Sequence, residues 1–468
     1  MISINKILKD KNFINKLSLL IFFIISWFSI STTFQNLLIF NSNETITINQ
    51  LINFVRTALN IGIFPILLFK LVKMLIKTNS LNLKTNLIFF LSLLYFLSQS
   101  PALFYTSNSI ENLIYVLSAI NLLIIMRLSV EIFKRNELIV LVYTTFIILF
   151  FVLMNSFLSD VISFVYNVET GKRFYGSVNI IAGESYIRSS GASRIALILI
   201  IIYSTIFLKY INLLILKILP LFILSTIVFL YESRASVGLL IIFIIIVLFI
   251  IEKISYKNIL SYLFFCLIFP WLISVNINYT YSHNAVKARS ASDSQNTQAA
   301  SDIIISKNKI SSFLCSISKC DNHLARFTNK ERLLTSSGRV EDWNKLLNLF
   351  DYKNNLFFGY GAQGDRLLIN QTASNALIYS LISSGIVGFS FFLFFSVVAS
   401  LYVIKFIFNV KLLFKNKNID STYFFSISTL MVILIRSLIE SSYAVFGVDF
   451  ILFFMSLFLV QKYNKFLK

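Results

Sequence analysis

The chain has 468 residues, 57% hydrophobic and 13% charged, with 49 Phe and a mean hydropathy of +0.79. Soluble globular domains carry about 25% charged residues, so a water-soluble fold is excluded and lipid is the solvent for most of the surface. The formal net charge of +20 therefore reads first as membrane sidedness, and no nucleic-acid partner is expected.

A hydrocarbon core takes about 20 apolar residues per helix. Runs of that kind lie near 17–40, 51–76, 86–105, 110–133, 138–158, 194–208, 211–231, 235–251, 258–276, 386–408, 421–442 and 446–461. They predict an all-α, polytopic membrane protein of about 12 transmembrane helices, with one large external loop containing short helices. The first run is too long for a cleavable signal peptide and no A-x-A site follows it. The pair 194–208 and 211–231 has barely a linker between its members. Three units follow. Residues 1–276 hold the earlier spans with a medium external loop at 159–193, 277–373 form the large external loop, and 374–468 hold a re-entrant or tilted segment and the last spans.

Placing the N-terminus inside makes every cytoplasmic connection basic. Lys6 to Lys16, Lys70 to Lys84, Lys134 and Arg135, Lys209 and Lys217, Lys253 and Lys257, Lys405 to Lys417, and Lys462 to Lys468 fall there. The external connections 41–50 and 106–109 hold no Lys or Arg. This is the positive-inside pattern, and it puts both termini in the cytoplasm. Of the 21 internal cations one is Arg, whereas 12 of the other 20 are Arg. The planar fork of Arg suits bidentate phosphate contacts; alternatively, Arg simply tolerates the membrane boundary better.

The medium loop contains "GKRFYGSVN" and "ESYIRSSGASR". The large loop opens with the polar stretch 282–302, of a composition that disfavours a packed core, and holds His283 and His323. "SSGRVEDWNKLLNLF" (336–350) then places Val340, Trp343, Leu346, Leu347 and Phe350 on one helical face. Ser336 or Ser337 can cap it, and Glu341 and Asp342 suit the positive end of its dipole. That helix either lies on the outer membrane surface or packs into a small external cap. Cys315 and Cys320 in "CSISKC" are disulfide candidates on the oxidising side. With His323 they make an incomplete zinc set, so no metal is expected. Cys266 reads as a small apolar residue inside a span.

Arginines recur at one depth. Arg188 and Arg194 precede the sixth apolar run, Arg234 precedes the eighth with Glu232 two residues before it, and Arg436 and Glu440 lie near the outer end of the eleventh. Arg436–Glu440 and Arg127–Glu131 are also spaced as plain i,i+4 ion pairs. Charges at membrane depth normally face an interior or a wet cavity. A cluster of guanidinium groups at the outer leaflet suits a lipid-linked diphosphate, whose leaving charge it would stabilise.

"SRASVGLL", "SGRVEDW", "LFFGYGAQGD", "ASNALIYSLISSGIVG" and "RSLIESSYAVFG" follow one another between about 180 and 450. In order and placement they resemble the landmarks of the bacterial O-antigen polymerase and O-antigen ligase families, multi-pass inner-membrane glycosyltransferases with one large periplasmic loop. The resemblance implies an undecaprenyl-diphosphate-linked glycan donor and acceptor, no metal or cofactor, and a chain-length regulator and a flippase as partners. The ligase's paired arginines match Arg188 and Arg234. Its His-Asn pair falls on Ser374 and Asn375; the missing histidine favours the polymerase. Gly359, Gly361 and Gly364 have the G-x-G-x-x-G spacing of a dinucleotide site, but they follow a helix outside the cytoplasm. Gly359 and Gly361 are therefore expected to let a turn approach the membrane or a glycan.

The expected reaction extends one lipid-linked oligosaccharide onto another. Arg188, Arg194, Arg234 and Arg436 hold the diphosphate, Arg339 and Arg366 reach it from the loop, and the base is Glu232, with Glu341, Asp342 and His323 as further candidates. The alternatives are a ligase that moves finished glycan onto a lipid A core or a protein, and a transporter or flippase. The last predicts mid-membrane ionisable residues and broken helices related by a repeat, neither of which is evident.

Overall fold

A computed structural model of the protein describes residues 11–28, 48–78, 83–104, 109–166, 177–179, 184–186, 189–211, 213–231, 233–250, 261–277, 339–415 and 420–464. The helices are α1 (Lys11–Phe28), α2 (Ile48–Thr78), α3 (Leu83–Leu97), α4 (Ser109–Ile132), α5 (Ile139–Tyr166), α6 (Ser189–Ile202), α7 (Leu214–Leu230) and α8 (Arg234–Ile250). They continue with α9 (Ser261–Ile277), α10 (Arg339–Leu349), α11 (Gly364–Ile369), α12 (Ala376–Lys415), α13 (Ser421–Ser437) and α14 (Val448–Asn464). A two-stranded antiparallel ribbon, β1 (Ser177–Asn179) with β2 (Glu184–Tyr186), adds a detail that the all-helical expectation lacked.

Each predicted apolar run carries a helix. Among the described residues, six are long and apolar enough to cross a membrane: Ala58–Ile76, Leu87–Phe104, Asn112–Ile132, Ile139–Leu158, Ser190–Phe207 and Ala376–Phe408. Shorter apolar helices occupy Phe13–Phe28, Ile215–Leu230, Ala235–Ile244, Ser261–Ile277 and Ser421–Ser437. The tightly joined sixth and seventh runs are separate helices. The first ends in a π turn at Tyr203–Phe207 and a 3-10 turn at Leu208–Tyr210, and the Tyr203 hydroxyl donates to Leu216 O at 2.7 Å across the reversal. Of the large loop, the described part begins at Arg339 and includes the short helices α10 and α11.

The core is built around α14. Phe450, Phe453, Phe454, Leu457 and Phe458 leave it in different directions and all are buried, as expected of a helix apolar on every side. It packs against α13 and α4. At one end of the bundle, Lys462 on α14 donates to Phe133 O (2.8 Å) and Val130 O, which close α4. Lys16 pairs with Glu137 at 2.7 Å, and Lys70 donates to Ser18 Oγ at 2.8 Å. Lysines of three expected cytoplasmic segments thus meet partners around the ends of α1, α4 and α14. The start of α14 stands some 20 Å away along the helix axis.

α12 is broken where Gly385 adopts φ 60° and ψ −167°, a conformation nearly confined to glycine. The freed backbone groups are met by the glycine-rich stretch itself. Tyr360 N–H donates to Ile382 O (2.8 Å) and Gly361 N–H to Ser383 O (2.9 Å). In return, Ile386 N–H reaches Leu356 O (2.8 Å) and Val387 N–H reaches Phe357 O (3.2 Å). A Cβ on Gly359 would collide with Ile382 O, and one on Gly361 would stand 2.7 Å from Ala102 Cβ. Both glycines are buried against protein, so their role here is close backbone approach.

Gly385→Ala should therefore cost about 1–3 kcal/mol of stability and lower the melting temperature of the detergent-solubilised protein. Gly238→Ala in α8, where an added Cβ meets nothing, should leave it unchanged or raise it.

A candidate anion-binding cleft

The end of the bundle opposite the lysines is assembled from four stretches: the first turn of α6, the last turn of α13 with the segment 438–447, the start of α14, and the connection 359–379 around α11. The segment 438–447 is held firmly. The Tyr95 hydroxyl donates to Ala444 O (3.0 Å), and the Tyr443 hydroxyl donates to Ser396 Oγ (2.9 Å). The Tyr443 ring stacks on Phe453 at 3.9 Å between centroids. Asn375 Nδ2 donates to Leu438 O (3.0 Å) while its Oδ1 accepts from Leu377 N–H (2.9 Å) and Ile378 N–H (3.1 Å), capping α12.

These supports position one carboxylate between two guanidinium groups. Asp449 Oδ2 lies 3.2 Å from Arg194 Nη1 and 3.3 Å from Arg436 Nε, and it accepts the Ser442 hydroxyl at 3.0 Å. The Arg436 side chain is 4% exposed and that of Asp449 1%, whereas Arg194 is 22% exposed. The two guanidiniums outnumber the carboxylate by one charge. Nη1 of Arg436 and Nε of Arg194, both buried, make no hydrogen bond among the described residues, so this cluster holds donor capacity beyond what Asp449 uses.

Beside it lies a cleft of about 220 Å³, lined by Arg194, Gln363, Asp365, Arg366, Thr372, Tyr379, Glu440, the 441–448 turn and Asp449. Arg366 is exposed, and its Nη1 donates to Gln363 Oε1 at 3.1 Å. Glu440 Oε1 stands 3.2 Å from Arg339 Nη2 and 4.0 Å from Arg436 Nη2. Asp365 accepts N–H bonds from Ala373 (2.7 Å) and Arg366 (2.9 Å). Burial nonetheless pushes its carboxyl above the usual range, with those N–H groups and the Arg366 charge opposing.

α10 roofs this end as a packed cap helix. Leu346 and Phe350 are buried, Trp343 Nε1 donates to Ala373 O at 2.7 Å, and Arg339 reaches Glu440. The helix packs on the protein through these contacts. Arg436–Glu440, spaced as a simple i,i+4 pair, is the longest contact in a wider network, whereas Arg127–Glu131 is an ordinary pair at 2.6 Å.

Of the six arginines expected at the diphosphate, Arg194 and Arg366 line the cleft, and Arg339 and Arg436 pair with Glu440 and Asp449 in its wall. Arg234 opens α8. Arg188, Glu232, His323, Cys315 and Cys320 lie outside the described residues. Glu341 and Asp342 stand in the first turn of α10, and neither lines the cleft. Ser374 adopts φ 49° and lies 3.4 Å from Thr372 Oγ1; it and Asn375 shape the start of α12. Among the described residues, no group of His, Cys, Asp and Glu is placed to hold a metal ion. Sequence reading missed Asp365 and Asp449. The signal for Asp449 was present: it is the lone acid of the apolar run 446–461, and such a charge needs a partner.

The fold and this cleft define a helical membrane protein with a guanidinium-rich recess at one end. The chain matches no protein-family model, no curated protein and no solved structure.

Asp449→Ala, which strands the buried Arg436 guanidinium and removes a partner of the half-buried Arg194, should cost about 3–5 kcal/mol, read as a lower melting temperature. Asp365 has the opposite sign. Its raised folded-state pKa means that its contribution to stability is fully present below the unfolded value of about 3.9 and falls as pH rises through the folded value. Asp365→Asn, which removes the titrating group, should accordingly flatten the pH dependence of the melting temperature. Asp365→Ala, which leaves the Ala373 N–H unpaired, should lower it by about 1–3 kcal/mol equivalent.

Proposed function

We propose that this chain is a surface-polysaccharide polymerase of the O-antigen type, a metal-independent glycosyltransferase acting at the periplasmic face of the bacterial inner membrane. It takes an undecaprenyl-diphosphate-linked oligosaccharide and transfers it onto the non-reducing end of a second lipid-linked repeat unit. The observation that carries this reading is one cleft lined by Arg194 and Arg366, with Arg339 and Arg436 paired to the carboxylates of its wall, at the end of α14 away from Lys462. The lysine-lined end is cytoplasmic by the positive-inside rule, which turns the arginines outward, where nucleotide-activated sugars are absent and lipid-linked donors are present.

With every group ionised, the four arginines exceed Asp365, Glu440 and Asp449 by one charge, and by more when Asp365 is protonated. Arg194 and Arg366, which line the cleft, would clasp the diphosphate; Arg436 would hold the site's potential from beneath. The acceptor hydroxyl attacks the anomeric carbon from the face opposite the phosphate, and undecaprenyl diphosphate departs with the bonding electron pair. Diphosphate is a good leaving group, so the protein's work is orientation and stabilisation of developing charge. Ser374, in place of the ligase's histidine, and Asn375, occupied with capping α12, favour polymerase over ligase. The lysine clusters and the cleft lie at opposite ends, with α14 apolar between them, and this argues against a transport path.

Purified protein in nanodiscs, given a synthetic undecaprenyl-diphosphate repeat unit without nucleotide or metal, should produce a ladder of polymer. Arg366→Ala, at an exposed position that spares the fold, should weaken binding of undecaprenyl diphosphate by about 10-fold or more, as expected for a charged hydrogen bond. No ladder from the unaltered chain, or undiminished binding by the variant, would overturn the assignment.

A further inference from the structure

We infer that Glu440 is the general base that deprotonates the acceptor hydroxyl, an inference that rests on the polymerase reading. Three carboxylates line the cleft among the described residues. Asp449 is enclosed by Arg194, Arg436 and Ser442, and nothing outside the protein can reach Oδ2 without displacing them. Asp365 is buried and spends its oxygens on the N–H groups of Ala373 and Arg366. Glu440 alone combines access with light commitment. Its side chain is 24% exposed, and it is held by two arginines, at 3.2 and 4.0 Å.

Its backbone is fixed where its side chain is not. Leu438 N–H bonds Ile435 O (3.3 Å) and Ile439 N–H bonds Arg436 O (3.0 Å), so α13 tightens into a turn that delivers Glu440 to the cleft wall. The charged groups facing it are Arg339 from α10 and Arg436 from α13, with Arg194 of α6, Asp449 of α14, and Asp365 and Arg366 of α11 around the same cleft. A diphosphate clasped by Arg194 and Arg366 shares the cleft with Glu440 and competes with it for Arg339, the nearer and more exposed of its two counter-ions. As the donor binds, the carboxylate gives up that contact and gains an oxygen free to accept the hydroxyl proton. The base is thereby released in the step that supplies its substrate.

In the transfer, Glu440 takes the hydroxyl proton while the acceptor oxygen bonds the anomeric carbon. The bond from that carbon to the phosphate oxygen breaks, and its electron pair leaves on undecaprenyl diphosphate. The proton on Glu440 then passes to water, restoring the carboxylate.

The test compares the unaltered chain, E440Q and E440D in nanodiscs with the synthetic lipid-linked repeat unit, and measures undecaprenyl diphosphate binding separately. E440Q should lose about 100- to 10,000-fold in kcat, the usual contribution of a positioned base. It should bind undecaprenyl diphosphate as well as the unaltered chain or better, and its residual rate should lack the acidic limb of the pH profile. E440D keeps the charge with a shorter reach and should fall between the two; it decides the matter if E440Q does not fold. E440Q activity within about 10-fold of the unaltered chain with the acidic limb intact, or E440D as fast as the unaltered chain, would make Glu440 a mere counter-ion. No polymer from the unaltered chain would instead overturn the polymerase reading itself.

Discussion

A single buried carboxylate makes the arginine-bearing end of this bundle possible. Two guanidinium groups at the rim of an apolar core repel each other and lose hydration, and unpaired they would be ejected or would unfold the turn that carries them. Asp449 lies between Arg194 and Arg436 and receives the Ser442 hydroxyl as well. Its place in the first turn of α14, where the helix dipole is positive, supplies further stabilisation. One surplus positive charge remains, and that surplus is available to an anionic ligand. The geometry thus resolves a conflict between stability and binding: the arginines are quenched enough to be kept and free enough to act.

The second constraint is backbone saturation. A helix cannot break near a membrane unless other groups take over its freed N–H and C=O. The break at Gly385 is tolerated because residues 356–361 run alongside it and exchange four hydrogen bonds with it. The same strap leads directly into Gln363, Asp365 and Arg366, which line the cleft. A structural repair therefore positions functional groups, and the glycines at 359 and 361 serve the cleft by what they permit next to them in sequence.

Much of this was legible in the residues. Apolar run length located the helices, since about 20 residues of continuous hydrophobicity have few other uses. The excess of Arg over Lys outside the expected cytoplasmic segments drew attention to the arginines, of which Arg194 and Arg366 line the cleft while Arg339 and Arg436 pair with carboxylates in its wall. The carboxylates were harder. Asp365 was hidden inside the glycine pattern, and its burial depends on Ala373 folding back eight residues later. Asp449 takes its partner Arg194 from some 250 residues earlier in the chain, a distance no local pattern spans. Glu440 pairs with Arg339 across the intervening α12 and α13, a contact that no periodicity encodes. The cap helix was readable as amphipathic, but its choice of protein over lipid depended on Trp343 finding Ala373 O.

The central helix α14 is fastened at both extremities, by Asp449 to two guanidiniums above and by Lys462 to the carbonyls of Val130 and Phe133 below. Held like a bolt with a nut on each side, it can neither slide along its axis nor turn about it without breaking a desolvated contact. Piston-like motion is thereby opposed in this element. Larger movement at this end falls to the periphery, where the described contacts of α10 are two buried apolar side chains, one ion pair and one indole hydrogen bond.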